Sequence, residues 1–194
     1  EMGLLDCVIY NSLNVSVSHE ELDALTEVPP EAAILLAFNP QDSSIAGRRS
    51  VLEEGALGLD RGLLDMARDL GIQKQLIDIA ATAVGAGAGP SVAFTFVAKA
   101  TYGLPTGAGI HNVPASWPWL LRYRKTDREA FKTCDAASSL IVQMLGGDFV
   151  LYGPIKNAHR VFPVAALGDV LAGEMAKSEL GIEPSDEHPF HRLT

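Results

Sequence analysis

Residues 75–80 read QLIDIA, a short apolar run that carries a single carboxylate, Asp78. Runs of the same kind occur at 6–11 (DCVIYN), 32–38 (AAILLAF), 105–111 (PTGAGIH) and 147–152 (GDFVLY). Most of them are continuously apolar rather than alternating, which is typical of parallel strands covered on both faces. We therefore predict five strands in a parallel sheet.

Helical patterns lie between and after these strands. The predicted helices cover 18–25, 60–70, 90–102, 127–145 and 157–179. Ser18 is a favourable N-cap, Gly71 is a natural helix stop, and Pro90 suits a first helical turn. The segment 40–58 contains Gly and Ser and is mixed in charge, so we predict an excursion there at the carboxyl end of the strand. Alternating strands and helices predict an α/β fold, and both an open doubly wound sheet and part of a (β/α)8 barrel fit five units.

Composition and charge argue against several classes of protein. The 194 residues include 15 Lys and Arg against 24 Asp and Glu, a net charge of -9, so no basic stripe is available for a nucleic-acid backbone. No apolar run approaches the ~20 residues that span a bilayer, and we expect no direct membrane insertion. Cys7 and Cys134 form no CxxC pair, so neither a disulfide framework nor a metal site is predicted. The chain opens without a basic signal-peptide region, and we expect a cytoplasmic protein.

Polar residues follow the predicted strands at the ends where α/β proteins bind ligands. They are Asn11, Ser12, Asn39, Asp78, His111, Asn112 and Tyr152. A carboxylate accepts two hydrogen bonds and an amide both donates and accepts, a combination that suits the edge of a heterocycle. The same residue types also cap helices and satisfy turns, and this structural role stays open for Asn11, Asn39 and Asn112. Asp78 is the stronger functional candidate, because an unpaired carboxylate is costly to bury.

Other conspicuous residues are assigned structural roles. The segment GAGAGP at 85–90 lacks the spacing of a dinucleotide fingerprint or a P-loop, and we predict a loop that needs close backbone approach. Trp117 and Trp119 flank Pro118, which favours packing at a helix entry. His188 and His191 are expected to be solvated tail residues rather than a metal pair.

Four segments taken together resemble one known family. They are VIYNSLN at 8–14, IDIA at 77–80, GAGIHNVP at 107–114 and GGDFVLYGPI at 146–155. In this order they resemble the H-subunit family of tetrahydromethanopterin S-methyltransferase, which includes related methylcorrinoid:tetrahydrofolate methyltransferases. The likeness spans about residues 6–170, and GIHNVP and GGDFVLYGPI are its most specific parts.

The resemblance implies a fold and a reaction. The fold is a TIM-type (β/α)8 barrel of the pterin-binding kind, of which this chain covers about the last five β/α units, with residues 1–182 in the barrel and 183–194 as a surface tail. The reaction moves a methyl group between N5 of a tetrahydropterin, either tetrahydromethanopterin or tetrahydrofolate, and the cobalt of a corrinoid (cobalamin) on a partner protein. The implied partners are that corrinoid protein or other subunits of a methyltransferase complex, through which the chain could join a membrane complex. An incomplete barrel would also favour self-association.

The resemblance also implies roles for particular residues. It places Asp78 and Asn112 in the catalytic site, with Asn11, Ser12 and His111 as further substrate-binding residues. By matched position, Asp78 anchors the pterin ring and tunes its electrostatics, while Asn11 and Asn112 orient it.

Two other interpretations stay open. The chain could be a non-catalytic subunit that docks a corrinoid protein or scaffolds a larger complex. It could also be another pterin enzyme of the same barrel type, such as a dihydropteroate-type synthase. That chemistry favours a phosphate-binding Arg or Lys on the late strands, and the last predicted strand has none within it, although Lys156 follows closely.

Overall fold

The computed structural model describes residues 7–194, whose centre is a five-stranded parallel sheet. The strands are β1 (Ile9–Leu13), β2 (Ala32–Leu36), β3 (Lys74–Asp78), β4 (Thr106–Ala108) and β5 (Phe149–Val150). They lie in chain order across the sheet, and all neighbouring pairs are parallel. The predicted α/β class and the parallel five-stranded sheet are confirmed. Position 6, the first of the predicted strand 6–11, lies outside the described residues.

Helices connect the strands and follow the last one. They are α1 (His19–Glu27), α2 (Ile45–Glu53), α3 (Leu63–Asp69), α4 (Ala88–Tyr102), α5 (Asn112–Ser116), α6 (Pro118–Tyr123), α7 (Arg128–Met144), α8 (Ala158–Leu180) and α9 (Pro189–Leu193), with a 3-10 turn at Ile155–Asn157. The predicted cap of the first helix is confirmed, since Ser18 Oγ accepts a hydrogen bond from the Glu21 N–H at 3.2 Å. Gly71 follows α3 with a φ of +76°, a conformation that favours glycine.

The segment 40–58, predicted as an excursion after the second strand, contains a helix that was not predicted, α2. Ser44 caps this helix, with its Oγ accepting from the Gly47 N–H at 3.1 Å. Val51 and Leu52 then bury their side chains completely in the core. Gly47 and the adjacent arginines interrupt the apolar pattern of this segment, which is why its helical periodicity is weak.

Two other segments differ in extent from the predictions. Strands β4 and β5 are only three and two residues long, shorter than the predicted 105–111 and 147–152. Residues 189–193 of the predicted surface tail form α9, which packs against α8. The approach is close at Gly173, where an added Cβ would lie 2.8 Å from Cβ of Phe190.

The main hydrophobic core lies on one face of the sheet. Its fully buried members from the strands include Ala33, Leu35 and Ile77, and those from the helices include Leu52, Leu63, Phe94 and Val142. The opposite face carries Asn11, Ile34, Leu76 and Asp78 and contributes none of them to this core cluster. The continuously apolar strands predict that both faces of the sheet are covered, whereas within residues 7–194 the main core cluster covers one face.

The strand order bears on the two architectures left open by the sequence. A doubly wound sheet reverses its strand order at a switch point, where its ligand binds. The order β1-β2-β3-β4-β5 has no such reversal. Among the helices of residues 7–194, none combines the length and hydrophobicity that crossing a bilayer requires.

Candidate functional site

Asp78 is the last residue of β3, and only 6% of it is exposed. Its Oδ1 accepts a hydrogen bond from the Ala80 N–H at 2.7 Å, and it forms no ion pair with the described part of the chain. Burial raises the pKa of Asp78 to about 6, against the opposing effects of backbone hydrogen bonding from Ala80 and Gly109 and of the nearby His111. A carboxyl group with this pKa can hold or release a proton close to neutral pH.

A cleft of about 210 Å³ opens beside the Asp78 carboxyl group. Its lining comprises Leu36, Phe38, Asp78, Ala80, Ala81, Thr82, Gly109 and Asn112. The cleft lies beyond the carboxyl ends of β2, β3 and β4, where parallel α/β proteins bind ligands. Mostly apolar walls with a few convergent polar groups are typical of small-molecule sites.

The structure brings Asn112 to this cleft together with Asp78. Asn112 begins α5, and its backbone N–H donates to the Gly109 carbonyl at 3.0 Å. Its side-chain amide is exposed and makes no hydrogen bond within residues 7–194. An added Cβ on Gly109 would lie 3.2 Å from Nδ2 of Asn112, so the glycine leaves room for this amide. Asn112 can therefore offer both a donor and an acceptor to a ligand.

The His111 side chain lies outside the Asp78 cleft. Its Nδ1 lies 2.9 Å from the carbonyl oxygen of Leu151, and because a carbonyl only accepts, Nδ1 carries the proton. The ring packs against Gly153, where an added Cβ would lie 3.1 Å from Cδ2. His111 lines a second pocket, with Asp135 and Asn157, rather than the Asp78 cleft.

Asn11 and Ser12 also lie outside the cleft. Asn11 pairs with Ile34, which pairs with Leu76, so it is on the same face as Asp78 but two residues lower and two strands away. With strands about 4.8 Å apart and a rise of about 3.3 Å per residue, this places it roughly 12 Å from Asp78. Ser12 sits in the register shift that follows Asn11, and its carbonyl accepts from the Asn14 amide at 3.0 Å.

Asn39 has the structural role that the sequence left open. Its Oδ1 accepts from the backbone N–H groups of Gln41 and Asp42 at 3.0 and 3.2 Å. Its Nδ2 donates to the Gly47 carbonyl at 3.3 Å. These bonds fix the turn that leads into α2.

The sequence analysis missed Thr82. This residue lines the cleft, and its Oγ1 is buried with no hydrogen-bond partner within residues 7–194. Buried hydroxyl groups nearly always find a partner, so an unpaired one beside a carboxyl group indicates a position where a ligand could hydrogen-bond. Its only sequence signal is a polar side chain within the small apolar run that follows β3.

The sequence analysis also missed Arg48, which holds the turn after Asp78. Arg48 lies on α2 and is only 1% exposed. Its Nε donates to the Ile79 carbonyl at 3.1 Å and its Nη2 to the Ala80 carbonyl at 3.3 Å. Ala80 adopts a φ of +53°, which is uncommon for a residue with a Cβ. The guanidinium holds the Ile79 and Ala80 carbonyls, which lie before and after the Ala80 Cα.

The glycine segment after β3 approaches the same region. An added Cβ on Gly87 would lie 2.6 Å from Cβ of Ser43, so the predicted need for close backbone approach is confirmed there. Ser43 in turn accepts a hydrogen bond from Arg48 through its carbonyl. The loops after β2 and β3 are therefore packed together beside the cleft. No cluster of three or more His, Cys, Asp or Glu residues within 7–194 could hold a metal ion.

The chain matches known proteins over its whole length. The chain is 49% identical over 193 residues to the H-subunit of tetrahydromethanopterin S-methyltransferase from Methanothermobacter thermautotrophicus, and 48% identical over 193 residues to the same protein from Methanothermobacter marburgensis. It is 43% identical over 199 residues to the corresponding protein from Methanosarcina barkeri. Each match covers 100% of this chain, which spans 62% of the first two relatives and 63% of the third.

A family model described as the tetrahydromethanopterin S-methyltransferase MtrH subunit matches residues 1–185. This match includes β1 to β5 and both Asp78 and Asn112. The resemblance noted from the four sequence segments is thereby confirmed. The chain belongs to the MtrH family of tetrahydromethanopterin S-methyltransferase subunits.

Proposed function

We propose that the Asp78 cleft binds the ring of a tetrahydropterin, and that the protein moves a methyl group between N5 of that ring and the cobalt of a corrinoid on a partner protein. One observation carries the proposal: a buried carboxyl group without an ion pair lies in an apolar cleft beside two unpaired polar groups. Those groups are the Thr82 hydroxyl and the Asn112 amide. Family membership and the names of the relatives support the same activity.

The cleft suits a flat heterocycle with a polar edge. Leu36 and Phe38 provide apolar walls against which a ring can pack. The Asp78 carboxylate accepts hydrogen bonds from ring N–H groups, and Asn112 supplies a donor and an acceptor at the other side of the opening. Thr82 Oγ1 gains its missing partner when a ligand is bound.

The proposed chemistry is an in-line displacement in which N5 is a poor leaving group unless it is protonated or polarised. The corrinoid supplies the cobalt centre that gives or takes the methyl group. Asp78 orients the ring and, as a nearby negative charge, favours the protonated form of the pterin. Asn112 fixes the angle of the ring, so that the methyl group faces the open side of the cleft.

We further propose that the five-stranded sheet is part of a (β/α)8 barrel. The sequential parallel order and the placement of the main core on one face support this architecture. In a barrel, the face that carries Asn11 and Asp78 would point inward, and the cleft would open at the mouth. A corrinoid protein or another subunit of a methyltransferase complex would then dock over that mouth.

The test is a titration with methyl-tetrahydromethanopterin and methyl-tetrahydrofolate. It uses the 194-residue chain, a chain extended to the length of the relatives, and the Asp78→Ala variant of the extended chain. We expect the extended chain to bind one of the two pterins and the variant to lose that binding while keeping its circular dichroism spectrum. Asp65→Ala, an exposed carboxylate paired with Arg68, is the matched control and should bind normally.

Two results would overturn the proposal. Retained pterin binding in the Asp78→Ala variant would remove Asp78 from the site. Failure of the unmodified extended chain to bind either pterin would favour the non-catalytic docking subunit instead.

A further inference from the structure

A second pocket, which we call the basic pocket, lies beside the Asp78 cleft. It has a volume of about 220 Å³ and is formed by α5, the end of α6, the start of α7 and the 3-10 turn before α8. Four of the chain's 15 Lys and Arg residues line it: Arg124, Arg128, Lys132 and Lys156. This local charge runs against the net charge of -9 for the whole chain.

The positive charge of the basic pocket is only partly neutralised. Among the described residues, Asp135 is the only carboxylate in its lining, and it is 9% exposed and accepts a hydrogen bond from Nδ2 of Asn157 at 3.1 Å. Burial raises the pKa of Asp135, which favours its neutral form, although the nearby His111 opposes this effect. Glu129, on the outer side of α7, pairs with Lys132 and lies 3.5 Å from Arg160. Within residues 7–194, Arg124, Arg128 and Lys156 form no ion pair.

Arg124 and Arg128 are positioned as an anion-binding pair. The Arg124 guanidinium lies over the Phe131 ring at 4.9 Å from its centroid, and its N–H groups make no hydrogen bond within residues 7–194, so they can bind a carboxylate or phosphate. Arg128 is the first residue of α7 and follows the N-cap Asp127, whose carboxylate accepts a hydrogen bond from the Ala130 N–H at 2.9 Å. The guanidinium groups of Arg124 and Arg128 are therefore both available to a bound anion.

The basic pocket and the Asp78 cleft meet at two consecutive residues. His111 lines the basic pocket and Asn112 lines the cleft. The His111 ring is held in place by its hydrogen bond to the Leu151 carbonyl at 2.9 Å. A single extended ligand can therefore occupy both spaces by crossing the first turn of α5.

We propose that the basic pocket binds an anionic group, a carboxylate or a phosphate, and that this group belongs to the side chain of the pterin whose ring occupies the Asp78 cleft. The second part rests on the proposed function. The pocket thereby selects pterins with an acidic side chain over those without one. Arg124 and Arg128 supply charge-assisted hydrogen bonds, and Lys156 adds charge at the rim.

The test uses the double variant Arg124→Gln/Arg128→Gln in the full-length protein. The probes are inorganic phosphate, methyl-tetrahydromethanopterin and 6-methyltetrahydropterin, which has the ring but no acidic side chain. We expect the variant to bind the first two about tenfold or more weakly, as the loss of charge-assisted hydrogen bonds predicts, and to bind the short pterin unchanged. Arg61→Gln/Arg68→Gln removes the same charge from exposed positions paired with Asp69 and Asp65, and should bind all three probes normally.

The other outcomes separate the possible sources of the anion. If the variant weakens phosphate binding but neither pterin, the pocket takes a free anion and the shared-ligand part is overturned. If the double variant binds all three probes normally while both variants keep their melting temperature, the whole inference is overturned. Weakened binding of the corrinoid partner would then indicate that the basic pocket contacts an acidic protein surface. If the unmodified protein binds neither methyl-tetrahydromethanopterin nor the short pterin, the proposed function fails, whereas phosphate binding still tests the basic pocket.

Discussion

At the scale of single residues, the burial of the Asp78 carboxyl group lowers the free energy of unfolding at neutral pH. Its pKa rises from an ordinary 3.8 to about 6 because burial disfavours the charged form. Between these two values the folded protein keeps a proton that the unfolded chain releases. The free energy of unfolding therefore falls as the pH rises from about 4 to about 6, by at most roughly 3 kcal/mol.

The variant Asp78→Asn tests this cost directly. Asparagine keeps the shape and an oxygen acceptor for the Ala80 N–H, but it cannot ionise. We expect the variant to be more stable than the unmodified protein at pH 7.5, by up to about 3 kcal/mol, and equally stable at pH 4. Urea unfolding at the two pH values measures both differences.

Asp69→Asn is the control for that measurement. The Asp69 side chain is 58% exposed, so its replacement should leave the pH dependence unchanged. An Asp78→Asn variant that is less stable at pH 7.5 than the unmodified protein would contradict the account. Combined with lost pterin binding, a gain in stability is the usual sign of a residue kept for function.

The sequence predicts some of these residues and not others, for physical reasons. Asp78 could be predicted because burying a carboxylate inside an apolar strand is costly, which favours a functional role. The position of Asn11 could not, because its pairing with Ile34 inside β1 is a property of strand register rather than of local sequence. Thr82 could not either, since only the completed fold shows that its hydroxyl is buried without a partner.

At the scale of elements, α2 acts on the cleft through Arg48. The buried guanidinium donates to the carbonyls of Ile79 and Ala80, the two residues that follow Asp78. Helix α2 thus positions the end of β3 from outside the sheet. The sequence could not predict this link, because it requires both the helix in 40–58 and its packing across β3.

The variant Arg48→Gln tests that link. Removing the guanidinium leaves buried carbonyl oxygens without donors, and we expect the free energy of unfolding to fall by about 2–4 kcal/mol. Pterin affinity should fall as well, because Ala80 and Thr82 lose their support. Denaturant unfolding and a pterin titration of the folded variant measure the two effects.

The neighbouring arginine provides a matched control. Arg49 has a side chain that is 47% exposed and pairs with Glu53 at 3.0 Å on the surface of α2. Arg49→Gln should change the free energy of unfolding by less than about 1 kcal/mol, as is usual for exposed ion pairs. Equal effects of the two substitutions would show that Arg48 has no special role in holding the turn.

At the scale of the whole molecule, the edges of the sheet are the informative feature. Strand β1 pairs only with β2, and β5 pairs only with β4, within residues 7–194. Ile9 on β1 is 53% exposed and lies on the face away from the main core. The relatives are longer, since the chain spans 62% of the first two. The parallel direction of the five strands was predictable from strand–helix alternation, but their order was not, because a doubly wound sheet and a barrel both fit that pattern. The neighbour of each edge strand depends on how the complete sheet closes.

Hydrogen exchange distinguishes a closed barrel from an open sheet. In the 194-residue chain, the N–H groups of β1 that point away from β2 have no strand partner among residues 7–194 and should exchange rapidly. In a chain with the length of the relatives, closure of a barrel would pair them, and we expect their exchange to slow by about a hundredfold or more. The N–H groups of β3, which is flanked by β2 and β4 in both chains, should be protected in each and serve as the internal reference. Rapid exchange along β1 in the longer chain, with β3 protected, would mean that the sheet stays open at this edge, and the pterin would then have to bind at the end of an open sheet rather than in a barrel mouth.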